Sequence, residues 1–158
     1  MNSQALQRSA HLSRCGAYRY ALSRTWDAAL PAVLFVCLNP STADRVRDDA
    51  TARVCMNYAR RWGFGTLHIG NLIAFRVTNP AALKHAADPI GPGNDRRLRK
   101  LQERAALVVC AWGDGGALLA RDAQVLAFLR APHCLTKLGS GRPGHPLYKS
   151  AALRPVPL

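Results

Sequence analysis

The chain alternates between short continuous apolar runs and longer segments with helical spacing. Residues 32–38 (AVLFVCL) are apolar without a break, and residues 66–75, 105–112 and 133–138 repeat the theme. Runs of this length bounded by turn residues predict buried strands. Between them, residues 48–62 place Val54, Tyr58, Arg61 and Trp62 at helical spacing, with Asp48 or Asp49 available as a cap. A basic helix is expected over 94–104, turning Leu98 and Leu101 inward, and another over 117–130. Residues 17–26 alternate, with Tyr18, Tyr20 and Leu22 on one face and Arg19, Ala21 and Ser23 on the other, as in an edge or antiparallel strand. A Pro/Gly-punctuated loop with one helical turn is expected over 76–93.

The resulting order, β-β-α-β-α-β-α-β, predicts a three-layer α/β/α domain with a mostly parallel four-stranded central sheet and an N-terminal edge strand. Residues 1–16 read as loosely ordered, 17–150 as a single domain and 151–158 as a tail. The length suits one domain with a real core.

Each expected central strand runs out into polar or glycine-rich residues: Asn39-Pro40-Ser41, Asn71, Trp112-Gly113-Asp114 and, after a loop, His145-Pro146. In a parallel sheet these ends share one edge, where open α/β folds bind ligands. Asn39 can orient a water or a carbonyl, on a turn stiffened by Pro40, or can simply close an Asx turn. Asn71, inside an apolar strand, can satisfy neighbouring backbone or offer a donor and an acceptor to a base edge. His145 can stabilise charge on a leaving group or cap its loop.

Composition changes the picture in one respect. The formal net charge is +13: residues 1–26 contain four arginines and residues 123–158 three arginines and two lysines, with no acid in either segment. Such clustering suggests a polyanion, nucleic acid before membrane, or a basic solubility surface. No apolar stretch is long enough for a membrane span and no signal-peptide core opens the chain, so a cytoplasmic protein without a membrane partner is expected, as a monomer. Five cysteines without Cys-x-x-Cys spacing give neither a disulfide framework nor a zinc site. No metal and no cofactor are expected.

Three of the nine acids, Asp44, Asp48 and Asp49, follow the Asn39 loop. Asp44 or Asp49 could act as general base, the three could bind a divalent metal in a nucleotide enzyme, or one could cap the helix. Around His145, Arg142, Tyr148 and Lys149 suit phosphate contacts beside a base pocket.

The ordered set Tyr20…Trp26, Asn39-Pro40-Ser41-Thr42-Ala43-Asp44, Asp48-Asp49…Thr51, Asn71-Leu72…Phe75-Arg76, Asn94-Asp95, Trp112-Gly113 and His145-Pro146-Leu147-Tyr148 resembles a bacterial and phage family known only as a domain of unknown function. More distantly, the set is similar to the uracil-DNA glycosylase superfamily. That resemblance implies a water-positioning role for Asn39, base reading by Asn71, and stabilisation of the departing base by His145. Pro40, Ser41, Arg76, Trp112, Arg142, Tyr148 and Lys149 would line the substrate. The activity the resemblance implies is hydrolysis of the N-glycosidic bond of a damaged or modified base in a nucleic acid, DNA ahead of RNA. A non-catalytic nucleic-acid or nucleobase binding module is the alternative, beside the metal-dependent nucleotide enzyme.

Overall fold

A computed structural model of the protein describes residues 4–158. Its centre is the apolar run β3 (Ala32–Cys37), buried on both sides. Alternation sends Val33, Phe35 and Cys37 into one core and Leu34 and Val36 into another. The first core is closed by α1 (Ala50–Arg61) through Ala52, Cys55, Met56, Tyr58 and Ala59. The second is closed by Leu98 and Leu101 of α2 (Asn94–Glu103) and Val125 of α3 (Arg121–Leu126). The sheet therefore lies between helices, as a three-layer α/β arrangement.

One mixed sheet of seven strands runs β1-β2-β4-β3-β5-β6-β7. Its members beside β3 are β1 (Gln7–Leu12), β2 (Arg19–Thr25), β4 (Thr66–Asn71), β5 (Leu107–Cys110), β6 (His133–Cys134) and β7 (Val156–Pro157). The pairs β4–β3, β3–β5 and β5–β6 are parallel, whereas β1–β2, β2–β4 and β6–β7 are antiparallel. The connection leaving β3 carries α1 to one face, and those leaving β4 and β5 carry α2 and α3 to the other. Such a reversal opens a crevice at the carboxyl ends of the strands.

Several expectations are corrected. The four-stranded sheet with an edge strand is a seven-stranded mixed one, and β2 is interior because β1 covers it. The segment expected to be loose over 1–16 contains β1, whose polar sequence gives no apolar signal, while its first three positions lie outside the described residues. The tail supplies β7, and Leu158 packs on the second core. The helix expected over 117–130 is broken. Asp114–Ala120 is a kinked 3-10 segment with Leu119 and Ala120 at positive φ, so only Arg121–Leu126 is α-helical.

The helical turn in the long loop is a 3-10 helix, Pro80–His85. Cys37, Cys55, Cys110 and Cys134 are buried, and all five cysteines are free. No helix among the described residues is long and apolar enough to cross a membrane.

Candidate functional site

At the carboxyl edge of the sheet, a cavity of about 120 Å³ opens between the ends of β3, β4 and β5. Asn39, Asn71, Trp112, His145, Asp49 and Arg19 contribute to its wall. Four times the ~30 Å³ share of one liquid water, it has room for one small molecule or group.

Asn39 follows β3 and is pinned by its own amide. Its Nδ2 donates to the carbonyls of Pro40 (3.0 Å) and Val77 (2.9 Å), fixing which end of the amide is nitrogen. Its Oδ1 accepts from no protein group among the described residues, leaving an oriented acceptor at the wall. The buried Pro40 serves this turn by accepting the Val77 N–H rather than lining the cavity.

Asn71 pairs with Cys37 across the β3–β4 ladder and is 1% exposed. Neither its Oδ1 nor its Nδ2 finds a hydrogen-bond partner among the described residues. The backbone beneath it is held rigidly. Asn94 Nδ2 donates to the carbonyls of Asn71 and Leu72, and Arg121 Nε donates to Leu72. Arg121 is in turn fixed by Asp95 at 2.6 Å. A buried amide with both ends unmatched costs about 1–3 kcal/mol, so its retention here is costly to the fold.

Arg19 was expected on the same face as Ala21 and Ser23. A β-bulge overturns that expectation: pairing steps from His11↔Ala21 to Leu12↔Arg19 and leaves Tyr20 as the extra residue. Bulges re-aim side chains beside sites. Arg19 consequently reaches the Ala43 carbonyl (2.7 Å) and is 3% exposed, with its Nε unpartnered. Burial lowers its pKa to about 10, against the opposing charge of Asp49, so it remains a cation at neutral pH. Trp112 is 2% exposed, and its indole Nε1 also lacks a partner. Gly116 lies so close to the indole ring that a Cβ there would collide with it.

His145 is delivered by backbone bonds between loops. The Gly113 N–H donates to the Pro143 carbonyl and the Gly144 N–H to the Thr136 carbonyl. The Leu147 N–H donates to His145 Nδ1 at 3.2 Å, so the neutral ring carries its proton on Nε2. Burial and then the Lys149 charge push its pKa below the usual histidine value, with Asp49 opposing. A neutral Nε2–H donor results.

Asp49 is the N-cap of α1: Oδ1 accepts the Ala52 N–H at 2.8 Å and Oδ2 the Ala43 N–H at 3.4 Å. It also reaches the cavity wall, whereas Asp44 and Asp48 do not. Asp44 caps its own turn by accepting from Val46 and Arg47, and those bonds lower its pKa. Asp48 serves Arg24, whose Nε lies 2.6 Å away. Arg24 is fully buried and also donates to the carbonyls of Asp44 and Arg47, which shapes the loop before α1. The three aspartates thus diverge, and no three metal-ligating side chains converge among the described residues.

The remaining expected residues spread around the cavity. Ser41 lines both it and an open groove of about 440 Å³, whose wall includes Thr42, Asp44, Arg47 and Arg76. Arg142 pairs with Asp122 at 2.7 Å and lines a separate cleft beside Trp112. Tyr148 is fully exposed, with φ at 60°. Lys149 is off the wall and acts on His145 through its charge. Arg19, Thr51 and Pro80 line the cavity without having been singled out by the sequence as site residues. Thr51 stood in the motif set, but the bulge that brings in Arg19 has no sequence signal.

The profile of one protein family, described as "Protein of unknown function (DUF1643)", matches residues 19–147. No curated protein and no solved structure matches the chain. The matched stretch contains every wall residue of the strand-end cavity. The chain belongs to the DUF1643 family of proteins of unknown function.

Proposed function

We propose that the strand-end cavity holds a nucleobase of a nucleic acid and that the protein hydrolyses its N-glycosidic bond, in the manner of DNA glycosylases. The observation that carries this reading is the Asn71 amide, buried with both its donor and its acceptor unmatched beside a cavity of about 120 Å³. A base edge offers the complementary pair, and matching it recovers the cost of burying the amide. The buried indole of Trp112 supplies an apolar wall. The sequence resemblance to the uracil-DNA glycosylase superfamily, with parallel strands β4-β3-β5-β6 ending in these motifs, points the same way.

In the proposed reaction a water held by Asn39 Oδ1 attacks C1′ as the C1′–N bond breaks. The bonding pair leaves on the base, whose developing negative charge is met by the His145 Nε2–H and by the Arg19 cation. The proton of the water passes to Asp49 or to solvent. Both Asp49 oxygens already accept backbone N–H groups, which leaves fewer of their lone pairs free to take that proton. Slow turnover, or turnover on activated bases, follows. Ser41, Arg47 and Arg76 in the adjoining groove suit the flanking phosphates.

The spent donors of Asn39 and spent acceptors of Asp49 equally suit a base-binding module without chemistry. A screen of oligonucleotides carrying uracil, hypoxanthine and modified pyrimidines, read as alkali-labile sites, separates the two. Release that disappears in Asn39→Ala and His145→Ala supports hydrolysis. Variant-sensitive binding with no abasic product supports the module.

A further inference from the structure

The basic helix α2 lies away from the strand-end cavity, and its charge is left unused by the proposed chemistry. Arg97, Lys100 and Arg104 line a groove of about 350 Å³ between α2 and the β1–β2 pair. Their spacing (i, i+3, i+7) places them along one face of the helix. From Arg97 to Arg104 the row covers about 10 Å at 1.5 Å per residue. Across the groove stand His11 and the hydroxyl-bearing Ser9 and Ser23, and no acid lines it. None of the three cations forms an ion pair among the described residues, although Arg24, Arg121 and Arg142 all do. The field is felt locally: Arg97 adds to burial in lowering the pKa of His11, and Arg104 does the same to His68.

We propose that this groove binds consecutive phosphates of a nucleic-acid backbone, as a second contact separate from the strand-end cavity. Clustered like charges without partners repel one another, and a row of phosphates relieves that repulsion along its whole length. One isolated phosphate would meet only part of a row this long.

An oligomer of abasic deoxyribose phosphates offers backbone and no base, so its binding is independent of the cavity reading. Its affinity is followed by fluorescence anisotropy across a salt series. The Arg97→Gln/Lys100→Gln/Arg104→Gln variant is compared with Lys84→Gln/Arg130→Gln/Lys137→Gln, which removes equal charge from exposed positions elsewhere. Loss of three contacts at ~0.7 each predicts a log–log salt slope shallower by about 2 and an affinity lowered about tenfold or more in the groove variant alone. Lys100→Glu/Arg104→Glu, at two exposed positions, should weaken binding in the same direction and covers a folding role for the half-buried Arg97.

Equal losses in the groove and control variants, or parental binding by both groove variants, would overturn the proposal. Tripolyphosphate is the second arm. If the groove variants lose tripolyphosphate while holding the abasic oligomer as the parent does, the site is for a small phosphate ligand and the nucleic-acid assignment fails.

Discussion

At the scale of single residues, the site is recognisable by what its side chains forgo. Asn71 leaves both amide ends unmatched, and Arg19 and Trp112 each leave a buried N–H unmatched. Arg24 shows the opposite pattern, a buried cation with every nitrogen engaged. Asp48→Asn therefore removes the carboxylate that pairs with the buried Arg24 and should destabilise the protein by about 3 kcal/mol, measured by denaturant unfolding. Burial opposes ionisation of Asp48, but the hydrogen bonds and charges of Arg24 and Arg8 outweigh it and lower its pKa. The stability from this pair is thus complete above the unfolded carboxylate value and is lost as pH falls through the folded one.

The histidines work in a different window. His145 and His68 both lie below the reference of 6.5, so the unfolded chain binds more protons just beneath it. Stability is complete above about 6.5 and declines as pH falls through the folded values. An NMR titration should give His145 a pKa under 6.5, raised toward it in Lys149→Gln. Asn39, Asn71 and Trp112 were legible in the sequence because each interrupts or ends an apolar run, and His145 because it stands in the loop that follows one. Arg19 was not, since no feature of the sequence announces the bulge at Tyr20.

Among the elements, those buried on both sides were the most readable. Ala32–Cys37 is apolar throughout and stands at the centre of the sheet. The termini were opaque for the same reason: β1 is mostly exposed, and β7 has two exposed residues. β7 is held by pairing with β6, about twenty residues back, and β1 by pairing with its neighbour β2, and in both the register is set by the backbone rather than by apolar positions. The start of α3 was misplaced because positive φ at Leu119 and Ala120 is unusual for such residues. Helix α1 carries a division of labour at its N-cap. Asp49→Asn keeps a capping oxygen, so thermal stability should stay within about 0.5 kcal/mol of the parent, whereas Asp49→Ala should cost about 1 kcal/mol. If the charge of Asp49 also acts in the cavity, base release should slow in both variants, and a single-turnover assay reads that split.

For the whole molecule, topology does what no single motif does. Opposite routing of the connections after β3 and after β4 and β5 gathers Asn39, Asn71 and Trp112 at one edge, and the Gly113–Pro143 bond brings in His145. The excess positive charge is apparent in the sequence, but its distribution over the folded surface is not. Folding sets Arg97, Lys100 and Arg104 in one groove and Arg47 and Arg76 in another. The central claim is that Asn71 is retained for a ligand at the expense of the fold. Thermal unfolding of Asn71→Leu beside the parent tests it most directly, each with and without an oligonucleotide carrying a candidate base. Replacing the unmatched amide relieves about 1–3 kcal/mol, worth about 2–4 °C per kcal/mol in a chain of this size. The account predicts a variant that melts several degrees higher alone and gains less from the oligonucleotide than the parent does. A variant that melts lower, with an unchanged oligonucleotide-dependent shift, would contradict it.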